Sequence, residues 1–337
     1  MKLCVPYGGR SEDLSRLLSS VGDSIFEIYG AAPPGLYGSL RTSILIPSTE
    51  SFSNQVRAVH DYGLRFNAIM NATCSDSQVL DETFAKTLKS YLSSLEQAEV
   101  DTVTVADPFL VDFISTNFPN FEAVVSTAAG VDCAAKAEYF HELGAKRIVI
   151  PSDINRNFYA LKELLSYGKC VFEIIPNEGC LYKCPYYFFH ANASSHFSLF
   201  DENEKSKHAR QEFRDQYYYN RCLSMRQSNP SLFFSSPWIR PEDIDFYLNK
   251  FGLEYVKLAG RQLPTEQIIS VVKAYSCKKY SGNLLALLST PYKIRENYYI
   301  SNEGLQKIVE RLNCCGHQCV SCNFCREIAA TLAPKKV

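Results

Sequence analysis

The stretch AVVSTAAGVDCAAKAEYFHELGAKRIVIP, residues 123–151, decides the fold. It opens on a short apolar, β-branched run at 123–126 and closes on another at 147–151. Between them, residues 133–143 carry apolar side chains at helical spacing, and Gly144 stops the helix. Two strands joined through a helix run parallel, with a right-handed crossover.

The same unit recurs outward in both directions. Strands are expected over 2–6, 25–29, 65–70, 102–106, 123–126, 147–151, 170–175 and 255–258. Helix-period segments at 52–62, 80–95, 133–143 and 158–165 fill gaps between them, with Gly63, Gly168 and Gly252 as further stops. Eight such units predict an α/β fold, a TIM-like (β/α)8 barrel. An open doubly wound sheet is the alternative. It loses support because no G-x-G-x-x-G follows any strand. The barrel is expected to occupy residues 1–280, with an insertion at 178–235 after strand seven. A C-terminal helix, over 302–312, and a cysteine-bearing extension would fill 281–337, and the last five residues read as a disordered tail.

The insertion is far longer than an ordinary βα link. It falls where barrel enzymes place their active sites, at the C-terminal ends of the strands. It holds Cys180, Cys184, His190, His196 and Cys222, a charged stretch at 201–214, and the run Tyr217-Tyr218-Tyr219.

The whole chain bounds the function. A net charge of −1 and a pI near 6.6 do not advertise a general nucleic-acid binder. No secretory leader and no apolar run of about 18 residues is visible, so a soluble, cytoplasmic protein without a membrane span is expected. In that reducing setting 13 cysteines call for a reason other than disulfides. Cys4, Cys74, Cys133, Cys170 and Cys277 stand singly and read as small core residues. The other cysteines are bunched, which metal ligation requires and packing does not.

The C-terminal bunch runs Cys314-Cys315-Gly316-His317-Gln318-Cys319-Val320-Ser321-Cys322-Asn323-Phe324-Cys325. From Cys315 the spacing is C-x-x-x-C-x-x-C-x-x-C, close enough for four thiolates to surround one centre. This favours an iron–sulfur cluster, with zinc as the alternative, because structural zinc sites usually separate two cysteine pairs by a dozen or more residues. Cys315, Cys319 and Cys322 also spell a radical-SAM triplet, but they follow the barrel rather than its first strand. In the insertion, Cys180, Cys184 and Cys222 offer three thiolates. A fourth ligand could be another cysteine, His190, water or substrate.

The segment Asn177-Glu178-Gly179-Cys180-Leu181-Tyr182-Lys183-Cys184-Pro185, with Cys222 after it, resembles the cysteine signature of peptidase family U32, the collagenase-like protease family. Ser236-Pro237-Trp238-Ile239-Arg240-Pro241-Glu242-Asp243-Ile244, Lys257-Leu258-Ala259-Gly260-Arg261 and Phe66-Asn67-Ala68-Ile69-Met70-Asn71-Ala72 are similar to further pieces of it. The resemblance spans roughly residues 2 to 280. It implies a barrel-type catalytic domain with an iron–sulfur centre, [4Fe-4S] in type. It also implies an oxygen-independent hydroxylase acting on RNA, a quinone precursor or another small substrate, with prephenate as the implied oxygen donor.

Polar residues at strand ends, Glu27, Asn71, Asp107, Ser126, Glu173 and Lys257, are expected to line the barrel mouth. Asn71 and Asp107 would position substrate, and Lys257 and Arg261 suit a carboxylate. One or two clusters are expected in all, the C-terminal one passing electrons or binding a second redox subunit. A peptidase is the alternative, although neither H-E-x-x-H nor G-x-S-x-G occurs; a Cys180–His190 pair would be its nucleophile and base. A non-catalytic iron–sulfur partner subunit is the other.

Overall fold

A computed structural model describes residues 1–33, 37–40, 47–75, 81–199, 209–305, 308, 315, 319, 321–332 and 335–336. Eight strands form a closed parallel barrel: β1 (Lys2–Pro6), β2 (Glu27–Ala31), β3 (Arg65–Met70), β4 (Thr102–Val105), β5 (Glu122–Val125), β6 (Arg147–Val149), β7 (Val171–Ile174) and β8 (Tyr255–Lys257). The last closes onto the first through Lys2–Tyr255, Leu3–Val256 and Cys4–Lys257. The architecture is the expected TIM-like (β/α)8 barrel. β6 is shorter than expected, since Pro151 has no N–H to extend the ladder.

Helices α1 (Ser11–Val21), α2 (Thr49–His60), α3 (Phe84–Gln97), α4 (Pro108–Asn117), α5 (Ala134–Glu142) and α6 (Phe158–Leu165) wrap the outside, as do Ile244–Phe251 and Thr265–Cys277. The face of α1 shows why: Leu14, Leu17, Leu18 and Val21 recur at helical spacing and are all buried. The turn from α5 into β6 needs a glycine. Gly144 has φ +95°, and a Cβ there would lie 2.5 Å from Ser115 Cβ and Oγ.

The barrel's own interior is polar towards its N-terminal end. Arg147 and Glu27, both 0% exposed, pair at 2.6 Å, and Arg147 Nε reaches Glu122 at 2.9 Å. Asn67 and Thr102 also donate to Glu27. Burial pushes the Glu27 carboxyl up, but Arg147, Asn67 and Lys257 outweigh it and hold it below the ordinary carboxylate value. Glu27 therefore opens β2 inside the barrel rather than lining the mouth. Glu173, midway along β7, is likewise fully buried and away from the mouth. Both corrections have one origin: inward-pointing residues lie in successive layers, and only the last layer faces the ligand side.

A second apolar core lies outside the barrel. Phe233, Phe234 and Trp238, at the end of the insertion, pack with Leu284, Leu285, Leu288, Ile294, Tyr298 and Ile300. Leu223, Cys315, Phe324, Cys325 and Ile328 pack against the same cluster. The expected helix 302–312 falls largely outside the described residues; Glu303–Leu305 form a 3-10 turn. The expected disordered tail is ordered in part: Lys335–Lys336 pair antiparallel with Tyr298–Tyr299. Of the five single cysteines, Cys4 and Cys170 are buried, Cys74 and Cys133 half-buried, and Cys277 is exposed rather than core. No helix among the described residues is long and apolar enough to cross a membrane.

Candidate functional site

Chain leaving β7 turns at Pro176 and is clamped at once. Asn177 accepts from Ala259 N (2.7 Å) and donates to Ala259 O (2.9 Å) and Leu287 O (3.1 Å), so the exits of β7 and β8 are tied together. Ser289 N donates to Asn177 O at 2.8 Å. Gly179 follows with no room for a side chain, because a Cβ would lie 2.0 Å from Thr290 Cγ2. These contacts fix the backbone on which Cys180 sits.

Cys180 lines a mouth cavity of about 130 Å³ together with Tyr29, Asn71, Ser126, Glu178, His190, Lys257 and Arg261. Three of the four residues expected to act on substrate, Asn71, Lys257 and Arg261, are thus brought together. Asn71 Nδ2 donates to Ser126 Oγ at 3.0 Å, which fixes the amide's orientation. Lys257 is 7% exposed, and its Nζ has no hydrogen-bond partner among the described residues. The ammonium stands 4.4 Å from the centroid of the Tyr29 ring. Tyr29 OH donates to Leu258 O, and Tyr29 had no signal in the sequence. A buried ammonium without an acceptor, with Arg261 lining the same cavity, suits an anion.

Asp107 does not join them. It caps α4, accepting from Phe109 N at 2.9 Å ahead of Pro108, and its other oxygen accepts from Tyr37 OH at 3.2 Å. A carboxylate before a helix-opening proline reads the same way in sequence whether it caps or catalyses.

Helix α7 (Tyr187–Leu199) supplies one wall, through Tyr187, His190, Ala191 and Ser194. Thr73 Oγ1 donates to Asn192 Oδ1 (2.6 Å), Thr73 N to Ser195 Oγ (3.0 Å), and Ser39 N to Ser198 Oγ (2.9 Å). The His190 ring packs on Tyr218 at a tilt of 34°, 5.4 Å between centroids. His196 does not line the cavity.

Behind Cys180 lies a second cavity of about 320 Å³, lined by Cys180, Cys184, Glu178, Asp132 and Asp153 among others. Glu178 accepts from Ser152 Oγ at 2.6 Å and lines both cavities. Cys184 is half-buried. Burial pushes its thiol up, the neighbouring Cys222 adds to this, and Arg226 opposes it. Cys222 lies on the helix Ala209–Ser228, one turn before Arg226, whose guanidinium donates to Cys222 Sγ, Gly179 O and Ser236 Oγ. Arg226 is 1% exposed. Cys184 thus lies near Cys222 and shares the second cavity with Cys180, and the buried Arg226 cation contacts Cys222 and the carbonyl just before Cys180.

The C-terminal group is split by exposure. Cys315 and Cys325 are half-buried against the second core, while Cys319 and Cys322 are exposed. Cys314 lies outside the described residues. Cys315 and Cys319 are within electrostatic reach of Tyr182, in the middle of the insertion cysteine segment. The two groups are therefore neighbours. As placed, no three His, Cys, Asp or Glu side chains among the described residues converge closely enough to hold an ion.

A profile described as peptidase family U32 matches residues 37–164, from the loop after β2 to α6. A protein of Methanocaldococcus jannaschii called an uncharacterized protease is 34% identical over 304 residues, covering 90% of this chain and 87% of its own length. A solved structure of a U32 peptidase superposes with a TM-score of 0.56 at 23% identity, over 78% of this chain and 94% of that one.

Proposed function

The chain belongs to peptidase family U32, and from that footing we propose that it is an iron–sulfur-dependent redox enzyme. Its reaction is oxygen-independent hydroxylation, and it binds a small carboxylate-bearing molecule between Lys257 and Arg261. One observation carries this reading: Cys180 of the cysteine signature lines the same cavity as Asn71, Arg261 and the unpartnered ammonium of Lys257. Cys180, Cys184 and Cys222 would hold the cluster, and the buried Arg226 supports a centre of net negative charge. On donor chemistry and charge the set fits, with the thiols drawn together on ligation. When bound, the cluster supplies one-electron chemistry.

The chain's own residues do the rest. Lys257 and Arg261 bind and orient the carboxylate, and Asn71, held by Ser126 and by Leu40 N, has one lone pair of Oδ1 left for a hydroxyl or amide. Tyr29 holds the ammonium in place from one face. The tight mouth favours a small molecule, such as the oxygen donor implied by the family resemblance, over a long polymer inside the barrel.

Anaerobic purification with iron and sulfide assays, and absorption and paramagnetic resonance spectra, test the proposal. Iron and sulfide lost on Cys184→Ser are the expected result, and metal-free protein with full activity would reject it. The Cys180–His190 pairing keeps a second reading open, since both line one cavity and the M. jannaschii relative is called a protease. Cleavage of casein by a cluster-free preparation, abolished by Cys180→Ala, would favour that reading.

A further inference from the structure

Arg156 presents a charge problem. It is 1% exposed, just beyond β6, and lies 4.3 Å from the centroid of Trp238. Its two terminal nitrogens donate to the carbonyls of Phe234 and Trp238, neutral acceptors, and its Nε has no hydrogen-bond partner. The charged or titratable groups facing it are Tyr247, Cys325, Cys315 and Asp243. Asp243 is already engaged, held by Arg240 through two hydrogen bonds of 2.6 and 2.7 Å. Tyr247 is buried, which pushes its hydroxyl up and keeps it neutral. Cys315 and Cys325 pack against the core that contains Trp238, the ring on which the guanidinium lies, so a negatively charged centre built on them would stand beside this buried cation.

Those two thiols do not stand alone. Cys319 and Cys322 lie within electrostatic reach of them and of each other. The spacing C-x-x-x-C-x-x-C-x-x-C puts all four donors on one short segment. Asn323 opens the helix Phe324–Thr331, which anchors Cys325 against the second core, and the exposed pair is left to close over the outer side. We propose that Cys315, Cys319, Cys322 and Cys325 form a second, tetrathiolate metal centre whose negative charge is balanced by the buried Arg156 guanidinium. It is independent of the insertion cysteines, and Arg156 acts as a positioning and charge-balancing residue rather than a ligand.

The test uses the full chain carrying Cys180→Ser, Cys184→Ser and Cys222→Ser, so that failure of the insertion site does not affect it. Stripped protein is titrated with cobalt(II), whose ligand-field absorption reports tetrahedral thiolate ligation. One equivalent bound with tetrathiolate absorption, lost on Cys322→Ser, is expected. No binding, or binding indifferent to Cys322→Ser, overturns the site. Arg156→Gln should weaken cobalt affinity roughly tenfold or more, within the range for groups that support ligands. Arg156→Lys, which keeps the charge and guards against misfolding, should retain most of it. Equal loss in both variants, with native circular dichroism, overturns the charge-balancing role. Iron with sulfide, or zinc, in the same chain purified without oxygen names the native metal; finding neither counts against the site.

Discussion

At the scale of single residues, the buried charges divide into those that hold the barrel and those that wait for a ligand. Arg147 and Glu27 belong to the first kind. Glu27→Gln removes the fully buried partner of Arg147, leaving it Glu122, Cys4 and the nearby charge of Glu173, and should cost on the order of 3 kcal/mol at neutral pH. The folded Glu27 carboxyl titrates below its unfolded value of about 4.3. Its stabilisation is therefore complete above that value and fades as pH falls through the folded one. Urea melts of wild type and variant should differ at pH 7 and converge under acid; a gap that widens under acid would contradict the pairing. Lys257 belongs to the second kind. Lys257→Met removes an ammonium that has no hydrogen-bond acceptor but that interacts with Glu27 and the Tyr29 ring, so the melting temperature should change little. Affinity for small dicarboxylates should drop at least tenfold by calorimetry, and unchanged binding would exclude a carboxylate site.

At the scale of elements, the βα links after β7 and β8 set the geometry of the mouth. Gly179→Ala drives a methyl into Thr290 and should destabilise the chain by about 1–3 kcal/mol. Because the clash is with Cγ2, adding Thr290→Ser should restore most of the loss in a double-mutant cycle. Additive effects would place the strain elsewhere.

The regular elements were legible in sequence because strand and helix periods repeat with glycine stops between them, as in 123–151. The shared cavity of Asn71, Lys257 and Arg261 was legible because all three stand at strand exits, which open on one end of the barrel. The capping role of Asp107 was not legible, because helix capping and catalysis ask for the same residue before proline. Glu27 and Glu173 were misread because sequence does not say which layer of the barrel an inward residue occupies. Arg156 and Arg226 left no signal at all: a lone arginine gains meaning only when the chain brings carbonyls and thiols to it from far away.

At the scale of the whole molecule, the second core joins the insertion to the C-terminal extension. Phe233 is buried in it, its ring tilted 47° to that of Tyr298 at 5.2 Å between centroids, with the Arg226 guanidinium 5.7 Å from its ring. Phe233→Ala should cost about 3–5 kcal/mol locally. Limited proteolysis should then cut within 209–228 and 324–331 together while the barrel resists. Release of one segment alone would show that the two do not share a core.

The bonds described between α7 and the loops after β2 and β3 come from Thr73, Asn192, Ser195, Ser39 and Ser198, none of them ionic. Each contributes about 0.5–1.5 kcal/mol net, and mobile ions screen charges rather than hydroxyls. Detachment of this wall should therefore be indifferent to ionic strength. Amide exchange along 187–199 should give the same protection in dilute buffer and in molar salt, so an organism's internal salinity would leave access to the chamber untouched.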